Sequence, residues 1–425
     1  MNRENLQNTT QSTIWTRYVL VFLSIWLMAT ALSFEYKSAQ LFWSDLFSGA
    51  LLLLFGMRVL IANCSYAAWG ACFVGIYLQM APLLMWAPDS FSYLNDTIVG
   101  AMVVACSVLI PVLPQDRERD AGDIPPGWNY NPSSWLRRLP IISLAAIGWF
   151  AARYMAAYQL GYRDSVWDPF FEEGTLDVIT SDVSRSFPIS DAGLGAVCYT
   201  LEVLMGCKGS SKRWYTMPWI VVLFAILVIP LGFVSIILIM LQPILVGSWC
   251  SWCLLTALCM LIMIALTIDE MAAVWQYLRQ VKKEGKSVWD YFWKGGLLSV
   301  ELKKEKPVFG FLEAMRGVNV PWNLLLTAFL GVAVMFAEEW LGVEGRGSDS
   351  NHVLGALFVT ISVIAMAEVV RGLRYVNIGL GIYFMISPAF LGGFSTWGIW
   401  SNILVGILLI LLSIPQGKIR DRYGY

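Results

Sequence analysis

Residues 216–242 read TMPWIVVLFAILVIPLGFVSIILIMLQ, and the chain soon continues with GSWCSWC at 247–253. The first stretch holds no Asp, Glu, Lys or Arg, and it is longer than the ~20 apolar residues a helix needs to cross a bilayer core. Read outward from it, eleven further apolar stretches appear, at about 14–34, 44–62, 68–86, 94–113, 139–160, 189–207, 247–268, 320–340, 351–370, 375–391 and 397–414. The expectation is an all-α, polytopic transmembrane protein of about 12 helices, with the lipid bilayer as its main partner. Composition agrees: 57% of residues are hydrophobic and 14% charged, against roughly a quarter charged in soluble domains. A net charge of −1 gives no basic surface for nucleic acid.

Lysine and arginine are retained on the cytoplasmic side of membrane proteins. With twelve spans and both termini inside, all but five of the 29 basic residues fall inside; the exceptions are Lys37, Arg153, Arg163, Arg185 and Arg346. This orientation puts the Cys250/Cys253 pair on the outer side. An outer thiol pair implies an oxidising compartment, expected to lie outside a bacterial inner (plasma) membrane.

The two ends of the chain repeat each other. Shifted by 306 positions (351 − 45), Asp45 and Gly49 fall on Asn351 and Gly355, Gly75-Ile76-Tyr77 on Gly381-Ile382-Tyr383, Pro82 on Pro388, and Asp96 and Gly100 on Asn402 and Gly406. Four residues make about one helical turn, so each Asp/Asn shares a face with its glycine. Glycine allows close helix approach and a polar partner bonds across it, so the pattern reads first as packing glue and second as the lining of a ligand or ion site. The pattern resembles the SPW-repeat membrane module, with its small polar helix start, a glycine four residues on, and a Ser/Ala-Pro pair, here Ala81-Pro82 and Ser387-Pro388. It covers about 40–113 and 347–415, and the tryptophan of the module's name follows neither proline.

Between the repeats, the CxxC pair Cys250/Cys253 opens an apolar helix. Unpaired amides and the positive dipole end at a helix N-terminus stabilise a thiolate, the species that attacks a disulfide or a quinone. Structural zinc wants four N/S ligands; the chain has no second CxxC and only one histidine, His352, so no metal is expected. The other six cysteines read as small apolar residues.

The stretch 139–270 resembles the vitamin K epoxide reductase family, which has four helices, a long outer loop after the first, and a CxxC at the outer start of the fourth. The segment GAVCYTLEVLMGC (195–207) followed by Lys212-Arg213-Trp214 resembles the family's second helix and basic turn. The resemblance implies Cys250 and Cys253 as the catalytic pair. It also implies Ser181, ahead of Phe187-Pro188, and Asp191, at the start of the second helix, as quinone-binding residues. The quinone, ubiquinone or menaquinone, would be substrate or acceptor, with an external thiol protein or thioredoxin-like donor as partner.

Two departures stand out. The loop 161–188 has no cysteine, whereas the family usually carries two there; Thr175 stands where the second would be, and Trp167 or Asp168 near the first. Ala257 stands where the family has a tyrosine. Asp191 reads equally as a helix cap, Trp249 and Trp252 as an interfacial belt, and Glu202 as a residue paired within the bundle.

The expected organisation is a four-helix module (1–113), a cytoplasmic linker (114–138), a four-helix redox domain (139–270), a basic linker (271–318) and a second four-helix module (319–425). The expected function is a membrane thiol–quinone oxidoreductase that supports disulfide formation. A non-enzymatic scaffold or complex subunit is the alternative, and a transporter, suggested by the repeated halves, a further one.

Overall fold

The computed structural model describes residues 14–62, 64–110, 122–300, 302–304, 310–338 and 342–424. Twelve helices match the twelve apolar stretches: α1 Ile14–Ser33, α2 Ala39–Ala62, α3 Ser65–Leu84, α4 Ser90–Leu109, α5 Trp135–Gln159, α6 Asp191–Cys207, α7 Pro218–Leu241, α8 Ser251–Lys283, α9 Trp322–Met335, α10 Arg346–Ala365, α11 Val376–Ile386 and α12 Thr396–Ser413. Among the described residues, ten helical segments are long and apolar enough to cross a membrane. α11 is counted among the ten together with its flanking 3-10 turns, as Glu368–Ala389; α6, with 17 residues, and α9, with 14, fall short. The chain is an all-α, polytopic integral membrane protein. Part of the linker expected at 114–138 lies outside the described residues; its remainder is already helical from Trp135. α8 likewise runs past the end of its apolar stretch to Lys283.

The chain forms two compact units. The first contains α1–α4, α5 from residue 146 onward, the loop 161–188, α6 and residues 250–252. Its core joins Leu20, Leu23 and Leu27 of α1 to Leu52, Val59, Leu78, Val99 and Val103 of α2, α3 and α4. A second cluster, with Leu41, Leu83 and Tyr93, takes in Ile189 and Val197 and so anchors the start of α6. The second unit contains residues 120–145, 209–249 and 253 onward. Phe358, Phe384, Val334 and Leu409 fill the core between α9, α10, α11 and α12.

The repeat is visible in helix contacts. A Cβ on Gly75 would lie 3.0 Å from the Gly100 carbonyl, and one on Gly381 would lie 3.3 Å from that of Gly406. The matched glycines therefore make the same close helix crossing in both copies, as the packing reading expects.

One end of the second unit is held by ions. Arg213 donates to Glu270 through Nε and Nη2 at 2.6 and 2.5 Å, and Ser133 donates to the same carboxylate. Arg137 pairs with Asp269, to which Tyr130 donates at 2.9 Å. All four charged side chains are almost wholly buried. Removing one member of a buried pair strands its partner, at a cost of about 3–5 kcal/mol. Glu270→Ala should therefore lower the stability of the detergent-solubilised protein by roughly 3 kcal/mol, read as a drop in thermal midpoint, and Arg213→Met combined with it should recover part of the loss. An unchanged midpoint in Glu270→Ala would deny the pair its structural role.

Candidate functional site

The cysteine pair sits where a helix ends and the next begins. α7 runs into a π turn at Gln242–Val246 that is closed by Gly247 in the left-handed region (φ 75°), its N–H bonded to the Gln242 carbonyl at 3.0 Å. Glycine holds that conformation without a Cβ penalty. Cys250 immediately precedes α8 and Cys253 lies in its first turn; the two are joined in a disulfide. Cys250 is fully buried, whereas Cys253 is half-buried.

The loop 161–188 closes over this turn. Asp168, itself buried, accepts from the Ser251 amide at 3.1 Å, from the Ser251 and Thr175 hydroxyls, and from the amides of Phe170 and Phe171, both at 2.9 Å. Burial alone would push its carboxyl up, but these hydrogen bonds outweigh it and hold the group well below the usual carboxylate range. Thr175 Oγ1 is 3.6 Å from Cys250 Sγ, and Met155 Sδ is 3.9 Å away. The Trp252 indole donates to the Trp167 carbonyl at 2.8 Å, and its ring packs on Tyr154 with centroids 5.3 Å apart. Asp168 and Thr175, the residues found at the positions of the missing loop cysteines, thus both act on the cysteine turn.

The residues singled out as quinone contacts lie at the other end of the short helix Gly174–Thr180. Ser181 caps the following turn, accepting from the Ser184 amide at 3.3 Å, and its hydroxyl donates to the Val178 carbonyl at 2.7 Å. Asp191 accepts from Gln159 Nε2 at 2.6 Å and from the Ser184 hydroxyl at 3.0 Å. The cap of α6 is Ser190, whose Oγ accepts from the Gly193 amide at 2.9 Å; Asp191 is the first residue of the helix, which corrects the cap reading. With a rise of 1.5 Å per residue, Thr175 and Ser181 stand roughly 9 Å apart along the short helix. Gln159, which sequence reasoning missed, is the hub: its two Nε2 hydrogens are shared among Asp191, the Ser184 hydroxyl and the Ile179 carbonyl, and its Oε1 accepts from Ser190 at 2.5 Å. A glutamine at the end of an apolar helix carries no pattern of its own, so only the fold reveals it. Gln159, Ser184 and Ser190 line a cleft of about 630 Å³ whose rim includes Trp86, Arg163 and Arg185, a volume within the range of small-molecule sites.

Glu202 corrects another expectation. It is almost wholly buried, yet among the described residues neither carboxyl oxygen has a hydrogen-bond partner, so it forms no pair within its bundle. In the second unit, Trp249 packs on Phe336 and His352, with centroids 5.0 and 5.2 Å apart, so a protein wall covers part of its ring.

Residues 139–268 match the model of the Vitamin K epoxide reductase family. The chain carries a vitamin K epoxide reductase family domain. Residues 321–416 match the SPW repeat domain. That match covers the C-terminal copy, so the expected flanking by two SPW modules is met on one side, and the N-terminal copy rests on the internal repeat. No curated protein and no solved structure matches the chain.

In reduced protein, the Asp168 clasp should shield Cys250. A hydrogen bond to a charged group is worth about 1.5–3 kcal/mol, and 1.4 kcal/mol is tenfold in an equilibrium. Asp168→Asn should therefore speed alkylation of Cys250 by about tenfold or more, followed by mass spectrometry of the peptide carrying Cys250; an unchanged rate would show that the clasp does not gate it. The pH sign follows from the depressed carboxyl: its contribution is complete above the ordinary carboxylate range and is lost as pH falls through the lower folded-state value. Shielding should persist at neutral and mildly acidic pH and fail only in strong acid.

Proposed function

We propose that the protein is a membrane thiol–quinone oxidoreductase that makes disulfides on the outer side of a bacterial inner membrane, with both termini cytoplasmic. The observation that carries this reading is the Cys250–Cys253 disulfide at the start of α8 inside a segment that matches the Vitamin K epoxide reductase family. The central segment, about 139–270, is the redox domain, and the four-helix segments on either side are its membrane frame.

In the reduced state, Cys253 passes its electron pair to the quinone ring, and Cys250 closes the disulfide. Two thiols and one quinone become one disulfide and one quinol; the two electrons and two protons leave the sulfurs for the ring oxygens. An external dithiol then attacks the disulfide at Cys250 through a mixed disulfide, leaves as its own disulfide, and restores both thiols. Because Cys250 is buried beneath Thr175, that exchange requires the loop to withdraw.

Ser181 and Asp191 flank the quinone head group, and Gln159 joins them. The Asp191 side chain supplies an acceptor for the quinol hydroxyls, and the Gln159 amide and the Ser184 hydroxyl, which donate to Asp191 in the quinone-free protein, turn to the quinone carbonyls when the head group binds. The quinone is ubiquinone or menaquinone, and the partner is a thioredoxin-like or other external thiol protein.

The cysteine-free loop favours a second reading, a scaffold or complex subunit in which the pair is structural. Alkylation of free thiols before and after adding quinone to reduced protein separates the two, with Cys207→Ser as background because Cys207 is the exposed free cysteine. The oxidoreductase should lose both Cys250 and Cys253 thiols in a quinone-dependent way, and Cys253→Ala should abolish the change. Thiols that stay reduced, or that oxidise equally without quinone, would leave the scaffold. On intact cells, a membrane-impermeant maleimide should label reduced Cys253 in the Asp168→Asn background; labelling only after lysis would reverse the orientation.

A further inference from the structure

The two copies of the repeat carry the same polar contact with different chemistry. In the C-terminal copy, Asn351 donates to Asn402 Oδ1 at 3.2 Å and Asn402 donates back to Asn351 Oδ1 at 3.1 Å, both fully buried. Each amide has a donor and an acceptor, so two of them satisfy each other. In the N-terminal copy the residues in the same register are Asp45 and Asp96, also fully buried, in the copy whose glycines make the same close helix crossing, and the two side chains interact.

Two carboxylates cannot repeat the amide arrangement, because each is only an acceptor and adjacent like charges in an apolar interior cannot both persist. The surroundings do not neutralise them. The Tyr36 hydroxyl donates to Asp45 Oδ2 at 2.5 Å, yet among the described residues Asp45 Oδ1 and both oxygens of Asp96 lack a partner. The second copy has no counterpart of this tyrosine: Gly342 stands 306 positions beyond Tyr36. Tyr36, Asp89 and Tyr162 are the other titratable groups acting on this corner, and the Asn95 side chain acts on Asp96. Arg153, which donates to the neighbouring Thr97 hydroxyl at 3.2 Å and lies over the Tyr93 ring, is the adjacent cation. No cluster of three metal-type ligands converges among the described residues.

We propose that Asp45 and Asp96 form a proton-binding site that holds one proton between them at neutral pH. With that proton, Asp96 becomes the donor that the pair lacks and Asp45 remains the acceptor of both Asp96 and Tyr36, reproducing the Asn351–Asn402 contact with an exchangeable hydrogen. The site belongs to the first unit, and it does not depend on the oxidoreductase reading.

Infrared difference spectroscopy on the full chain in lipid vesicles, with isotopically labelled aspartate and Asp96→Asn to assign the band, tests it. The proposal expects a protonated aspartate carbonyl band at neutral pH that shifts in heavy water and is lost in Asp96→Asn. Folding then takes up a proton, so the unfolding constant should rise up to tenfold per pH unit toward alkaline pH, and Asp45→Asn with Asp96→Asn, which copies the other repeat, should fold and lose that increment. Absence of a labelled carboxylic-acid band would overturn the proposal. Added sodium or potassium that stabilises the band-free protein would identify a cation as the occupant instead, and no ion effect would leave helix glue.

Discussion

The carboxylate of Asp168 ties the loop 161–188 to the cysteine turn. It sits at the N-terminus of α8, gathers donors from Ser251, Thr175 and two loop amides, and fixes the loop over the cysteine turn. Two effects hold it there. The carboxylate meets the unpaired amides and the positive dipole end of a helix start, and its hydrogen bonds keep it ionised at neutral pH. The same clasp brings the Thr175 hydroxyl to 3.6 Å from Cys250 Sγ. A loop without cysteines thus sets a hydroxyl against the sulfur and holds that hydroxyl with a buried acid.

The rest of the molecule follows a related constraint. In an apolar interior, polar groups must find partners inside the protein. Arg213 with Glu270, Arg137 with Asp269 and Asn351 with Asn402 satisfy it by pairing. Gln159 satisfies it by serving several neighbours at once. Asp45, Asp96 and Glu202 are the buried acids that leave oxygens without partners among the described residues.

Much of this was legible in the sequence, because the governing signals are long or periodic. Apolar runs such as 216–242 announce helices, and the register of Gly75 and Gly100 with Gly381 and Gly406 foretells matching close crossings that the glycine contacts bear out. The CxxC was legible because two cysteines three apart at a helix start have one geometry. What stayed hidden depends on residues far apart in sequence. Gln159 reaches Asp191 across 32 positions, and Asp168 reaches Ser251 across 83; neither spacing is periodic. The cap at Ser190 was missed because Ser and Asp are nearly equal as caps, and only backbone geometry separates the residue before the helix from the first one in it.

The most direct measurement is a single-turnover stoichiometry. Reduced protein in lipid vesicles is mixed with excess quinone, and quinol formed is counted against Cys250–Cys253 disulfide formed. The account predicts one quinol for each disulfide, with neither product in Cys253→Ala. Disulfide formation without quinol, or quinol formed equally by the variant, would contradict it.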